Sequence, residues 1–331
     1  MRASPVVPEA FRTRRLRILL ALAILAPVVA LVGLFAGSVS LSPAQILAAL
    51  LQPERDVAAH ILWELRAPRV AAAFACGALL SVAGLLLQVL VRNPLAEPYV
   101  LGIAGGAALG ALTAVFFGAA ITGVQTAAFA GALVATAAVF LLSGALTWNP
   151  FRLLLTGVVL SAGFGAGVSL LLALAPAADG RGMLFWLMGD LGYATAPVGL
   201  WLILVALLGV TFLLARGLDV LAVGELQAQA LGVAVRPLQV VLFLAASLAT
   251  AVVVAQAGPV GFVGLIVPHA LRLAGLSGHR WLLPAAALAG GSFLTLADLA
   301  ARTVAAPQQL PVGVFTALIG VPVLLWLLAS R

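Results

Sequence analysis

The chain has 331 residues, 64% of them hydrophobic and only 8% charged, with a formal net charge of +7. Soluble domains carry roughly a quarter charged residues, so this composition excludes a soluble protein and leaves no room for a large soluble domain. All seventeen basic residues are arginine, and without lysine there is neither a Walker A nucleotide site nor lysine Schiff-base chemistry.

Apolar runs of about twenty residues recur along the whole length, enough for on the order of ten spanning helices. Alternation at every second residue is absent, which argues against a barrel. The expected fold is an all-α integral membrane protein, with spans at 18–36, 68–90, 98–118, 123–145, 152–175, 197–215, 238–257, 260–276, 282–303 and 312–329. The arginines stand at span ends rather than in a patch, so the positive charge is not a nucleic-acid signal. The single Cys76 lies inside an apolar run. It allows no intrachain disulfide and no cysteine metal cluster, and reads as a small core residue.

The first run, 18–35, follows Arg12, Arg14, Arg15 and Arg17. It lacks a convincing cleavage site and further spans follow it. It therefore reads as a retained first helix behind a cytoplasmic tail of residues 1–17, not as a signal peptide. The next outer segment, 38–65, holds Ser42-Pro43 as a helix start and Pro53-Glu54-Arg55-Asp56 as a polar tip. In the outer segment 176–193, the stretch 184–190 is too short to span and too apolar for open water. An interfacial half-helix with Trp186 at the membrane boundary is expected. An even number of spans puts both termini on one side, and a cytoplasmic N-terminus places twelve arginines inside against five outside. The positive-inside rule favours that orientation.

Pro68 is followed by Gln88 and Asn93-Pro94, and Pro237 by Gln256 and Gly258-Pro259, at nearly equal spacing and from opposite sides. This is either an inverted repeat, common in transporters, or a coincidence within a biased composition.

Four stretches carry candidate function. In Arg92-Asn93-Pro94-Leu95-Ala96-Glu97-Pro98, two prolines forbid a continuous helix. Asn93 can bond the freed backbone and Leu95 is an apolar tip, so the turn is either a plug or simply rigid. Segment 216–236 sets Asp219, Glu225, Gln227 and Gln229 among leucines and alanines, with Gly224 and Gly232 as breakers. It reads either as a short amphipathic helix offered to a soluble partner or as an ordinary loop. Segment 258–269 is broken by glycine and proline at the membrane edge, a pattern tolerated only where protein or water covers the backbone. His269 within it reads more readily as a packing residue than as a ligand. Asp298 and Arg302 stand four apart on one helix face, placed near the outer interface because an unpaired charge at mid-bilayer is costly. With Arg66 and Arg69, Arg302 breaks the positive-inside preference. The three arginines suit either acidic side chains of a soluble partner or phosphate head groups.

Gly275-Leu276-Ser277-Gly278 has the look of an intramembrane serine-protease motif. It stands at a cytoplasmic helix end without an evident base, so it is set aside. An ion-coupled transporter or channel would need membrane-buried carboxylates, and Asp298 is the sole candidate.

Taken together, these residues resemble the FecCD permease family. The likeness runs through Leu65-Arg66-Ala67-Pro68-Arg69, Gln88, the 92–98 turn, Leu101-Gly102 and Gly105-Gly106. It continues through Gly224-Glu225, Ala230-Leu231-Gly232, 258–264, Pro268-His269, Arg272, His279-Arg280 and Pro284. It ends with Ala297-Asp298, Arg302, Leu310-Pro311-Val312-Gly313 and Gly320, so it covers nearly everything after the first helix. These are membrane subunits of type II ATP-binding-cassette (ABC) importers for ferric siderophores, heme or cobalamin.

The resemblance implies a type II ABC importer permease fold with inverted-repeat halves, filling residues 18–331. It implies a homodimer with its path on the two-fold axis, in the bacterial inner membrane with cytoplasmic termini. Two cytoplasmic ATPase subunits, which carry the ATP and magnesium, would dock on the coupling helix at about 218–232. Leu218, Asp219, Gly224, Glu225, Gln227, Leu231 and Gly232 would serve there. One periplasmic substrate-binding protein would dock outside, its glutamates meeting Arg66, Arg69 and Arg302. Asn93, Pro94 and Leu95 match a cytoplasmic gate of the family's vitamin B12 importer. No catalytic residue, metal ligand or cofactor is implied in this chain. Two departures stand out: Asn149-Pro150-Phe151 occupies the place of a second gate that is small and polar in that importer, and Gln309 replaces a frequent outer glutamate. The stretch 185–190 resembles corrinoid-type members, without excluding siderophore or heme systems. ATP binding would draw the coupling helices together, and cargo would cross a cavity with few polar contacts, walled in part by 156–167. Specificity would then lie largely in the binding protein.

Overall fold

The computed structural model describes residues 9–51, 57–144, 149–194 and 196–329, and the regular structure among them is helical, with no strand. The expected polar tip at 53–56 and the first eight residues of the tail lie outside this set. In chain order come α1 (Glu9–Phe35), α2 (Pro43–Leu51) and α3 (Val57–His60). A π-helical stretch, Ile61–Arg66, continues α3 into α4 (Ala67–Leu90). Then follow α5 (Ile103–Phe116), α6 (Ile121–Leu142), α7 (Pro150–Leu174), α8 (Ala177–Leu187) and α9 (Pro197–Leu213). The remainder is α10 (Ala215–Val223), α11 (Glu225–Ala230), α12 (Val235–Ala257), α13 (Val263–Leu273), α14 (His279–Thr303) and α15 (Val312–Ala329).

Local chemistry sets several of these ends. Ser42 and Gln45 form a reciprocal capping box at α2: the Ser42 N–H donates to Gln45 Oε1 at 2.8 Å and the Gln45 N–H to Ser42 Oγ at 3.3 Å. Asn149 caps α7 by accepting from the Phe151 and Arg152 N–H groups at 2.9 and 3.3 Å. Proline in the first turn opens α4, α7 and α9.

Six long apolar helices, α9 (from which α10 bends away by 63°) and three shorter apolar helices (α5, α13, α15) match the ten expected spans. Two of the short ones follow irregular backbone. A 3₁₀ turn at Pro98–Leu101 and Gly102 at φ 76° precede α5, and Gly258, Pro259 and Phe262 precede α13. Both halves therefore run as a long helix, a break and a short helix, in line with the Pro–Gln repeat.

The core forms around α4, whose most apolar stretch is 89% buried against α14, α12, α13 and α9. Lipid is as apolar as leucine, so close packing rather than the hydrophobic effect holds such helices together. Glycine makes that closeness possible. A Cβ on Gly84 would lie 1.9 Å from the Gly264 carbonyl oxygen, and one on Gly77 would lie 2.2 Å from that of Gly290. By contrast α7 is only 6% buried over its most apolar stretch and lies at the periphery.

Two expectations need correction. Trp186 is buried in the core, with its carbonyl against Gly258, so its ring is not the expected exposed interfacial anchor. The coupling segment is two helices broken at Gly224, not one continuous helix.

Candidate functional site

The C-terminal end of α4 and the break before α13 form one polar node. Irregular backbone at membrane depth leaves N–H and C=O groups that must find partners within the protein. Buried Gln88 supplies several: its amide donates to the Gly264 and Leu265 carbonyls at 3.2 and 3.4 Å, and its Oε1 accepts from the Arg272 guanidinium. From the other side of the turn, Glu97 accepts the Phe262 N–H and the Tyr99 hydroxyl accepts the Val260 N–H at 3.0 Å. The turn between them is an Asx turn, in which Asn93 Oδ1 accepts from the Leu95 N–H at 3.0 Å while the Asn93 carbonyl accepts from Ala96. Asn93 and Pro94 are exposed and Leu95 half-buried at this tip. His269 is buried within α13, in keeping with a packing role. Ser277 is hydrogen-bonded by Arg15, so the serine motif has an arginine, not a base, beside it.

The 216–236 segment lies next to this node. Leu218 is fully buried and anchors α10, whereas Val223, Leu226 and Leu231 are 73, 78 and 71% exposed. In the sequence Val223 and Leu226 pass for two more apolar residues. An apolar patch of this kind beside Gln227 and Gln229 fits a protein partner. Asp219 does not face outward alone. It accepts the His279 backbone N–H at 2.8 Å, and the His279 ring Nδ1 lies 2.6 Å from the same oxygen. The carboxylate thus caps α14 from a different helix. Burial alone would raise the Asp219 pKa, but the His279 hydrogen bonds and the nearby positive charges outweigh it and leave the value lowered. Glu225 accepts from Gln239 at 2.9 Å and stands 3.4 Å from Arg92, so the structure joins the 216–236 segment to the 92–98 turn.

At the other end of α14, Asp298 is fully buried and shared by two arginines. Arg69 reaches it with Nε and Nη2 at 3.0 and 2.8 Å, and Arg302 Nε lies 2.9 Å from its other oxygen. Arg69 also meets Asp190 at 3.2 Å and Gln309 Oε1 at 2.7 Å, so the glutamine keeps a hydrogen bond where the charge is lost. Arg66 crosses to the end of α1 and donates to the carbonyls of Leu34, Phe35 and Val39. This revises the picture of three outward-facing arginines. Arg66 and Arg302 are 5 and 4% exposed. A guanidinium withdrawn from water requires partners, and here the chain supplies them. What remains open is a cavity of about 290 Å³, lined in part by Arg66, Arg69, Arg302, Glu64 and Gln309.

Fold and site together define a class: a many-helix membrane permease of broken-helix repeats, with a polar cluster at each end of α14 and an exposed helical patch beside one of them. Comparison with known proteins specifies it further. The FecCD transport family model matches residues 22–330. The vitamin B12 import system permease proteins BtuC of Escherichia coli O1:K1 / APEC and of Escherichia coli strain K12 / DH10B are each 37% identical over 327 residues, 95% of this chain and 95% of theirs. A transporter assigned to the metal-chelate ABC type, solved in an inward-facing conformation, superposes with a TM-score of 0.82 at 31% identity over 96% of this chain and 100% of its own. PsaBC from Streptococcus pneumoniae in complex with Fab shares the fold at a TM-score of 0.54 and 16% identity, over 86% of this chain and 94% of its own.

The chain belongs to the FecCD transport family. It is the permease subunit of an ABC importer, a non-catalytic multi-pass protein of the inner membrane that works with a separate ATPase and a substrate-binding protein.

Proposed function

We propose that the cargo is a metal chelate of the corrinoid kind, with cobalamin ahead of ferric siderophores and heme. The observation that carries this is the 37% identity to vitamin B12 permeases across 95% of the chain. In this reading two copies assemble with their weakly buried α7 helices lining a shared path, and both termini lie in the cytoplasm. Two ATPase subunits, holding ATP and magnesium, engage Leu218, Asp219, Gly224, Glu225, Gln227, Leu231 and Gly232. The exposed Leu226 and Leu231 support that contact. One binding protein docks outside, where an acidic side chain entering the 290 Å³ cavity would meet Arg66, Arg69 and Arg302. Asn93, Pro94 and Leu95 form the cytoplasmic gate. Ion coupling is disfavoured because Asp298 is already held by two arginines.

The test is uptake into proteoliposomes holding this chain, its ATPase and its binding protein, with cobalamin, a ferric siderophore and heme offered in turn. ATP-dependent cobalamin accumulation is expected. Uptake by the permease alone, driven by an ion gradient, would refute the reading.

A further inference from the structure

We propose that Arg92 is a positioning residue that ties the gate turn to coupling helix α11, so that displacement of α11 is delivered to Asn93–Leu95 through the Arg92–Glu225 pair. The proposal rests on the gate and coupling roles given above.

Two independent observations carry it. The first is geometric. Arg92 Nη2 lies 3.4 Å from Glu225 Oε1, and that oxygen also accepts from Gln239 Nε2 at 2.9 Å. Glu225, in the first turn of α11, is thereby held between the gate turn and α12. The second is conformational. Arg92 has φ 52°, one of two non-glycine residues with positive φ among the described residues. It sits just past α4, where the Asn93 N–H reaches back to the Gln88 carbonyl at 3.1 Å. That left-handed position after a helix is ordinarily taken by glycine, because a Cβ is disfavoured there. An arginine in that place is not there for the backbone's benefit, and its side chain runs to Glu225.

The pair is partly exposed, with side chains 42 and 29% accessible. An ion pair so solvated adds little to stability, so its consequence is positional. The path beyond Arg92 is short. The Gln88 carbonyl receives the turn, and the Gln88 side chain holds the Gly264 carbonyl and Arg272 of α13. A shift of Glu225 thus reaches both the gate tip and the broken backbone behind it.

Arg92→Gly is the decisive variant in the reconstituted complex, because glycine suits the left-handed turn while removing the ion pair. Its thermal stability should equal or exceed that of the wild type. Chelate transported per ATP hydrolysed should fall at least about fivefold, the low end of coupling between linked sites. Arg92→Asn, which also tolerates the turn, should behave alike, and Arg92→Lys should retain most of the coupling. In a Glu225→Gln background, Arg92→Gly should add nothing further. Wild-type coupling in Arg92→Gly, or independent losses in the double variant, would overturn the proposal. If the wild-type complex itself imports no chelate with ATP, the functional reading fails first and the proposal with it.

Discussion

Replacing Asp298 by alanine removes the anion that two buried arginines share. Arg69 would keep Asp190 at 3.2 Å and Gln309 at 2.7 Å, so it remains partnered. Arg302 would keep only a 3.4 Å contact to the Gly33 carbonyl while 4% exposed. Breaking a buried pair by removing one partner costs about 3–5 kcal/mol, mostly the penalty of stranding the other charge. We expect Asp298→Ala to destabilise the solubilised subunit by about that amount, chiefly through Arg302. The double variant Asp298→Ala/Arg302→Met should recover a good part of the loss, since the stranded charge is gone. Denaturant titration in detergent, followed by tryptophan fluorescence, reads both. A cost below about 1 kcal/mol for Asp298→Ala, or a double variant worse than the single, would refute the argument that the cluster is a closed electrostatic unit.

Gly84→Ala sets a Cβ against the Gly264 backbone, which cannot step aside, so a loss at or above the usual ~1–3 kcal/mol of overpacking is expected. Gly209→Ala on α9 meets no atom within 4 Å and should be neutral or stabilising in the same titration. Because the Asp219 pKa is lowered, its stabilisation is complete above the ordinary value of 3.8 and is lost as the pH falls through the lower folded value. The deficit of Asp219→Asn relative to the wild type should therefore be full at neutral pH and shrink below about pH 4, as read by amide exchange at the start of α14.

The spans were legible because lipid demands long apolar runs, and the breaks because glycine and proline at 94–102 and 258–262 punctuate them. The coupling segment showed itself as a charged island between apolar halves. The partners were not legible. Arg69 meets Asp298 across 229 residues of sequence, and nothing in the local pattern of either names the other. The same holds for Arg92 with Glu225 and for His279 with Asp219. Hence three arginines that break the positive-inside preference read as outward-facing, when Arg66 is bound to α1 carbonyls and Arg69 and Arg302 to Asp298. Trp186 misled for a related reason. Its aromatic type suits an interface, but the short α8 turns it against the break at Gly258.

The placement of charge also bears on selectivity. The polar clusters gather at the two ends of α14, whose 25 residues rise roughly 37 Å, more than the ~30 Å hydrocarbon core of a bilayer. Between them, on α7, the exposed side chains include Leu155, Val158, Val159 and Leu170, and the Ser161 hydroxyl donates to its own Gly157 carbonyl at 2.8 Å. Beyond Arg152 in its first turn, such a wall carries hydroxyls at Thr156, Ser161 and Ser169 but no charge, and so has few groups with which to grip a polar chelate. Strong discrimination requires buried polar groups that a wrong ligand would leave unpaired. If α7 lines the path, such groups are scarce along it. A cargo released from a tight-binding partner would cross with little to hold it, and the choice of chelate would be made before it reaches this subunit.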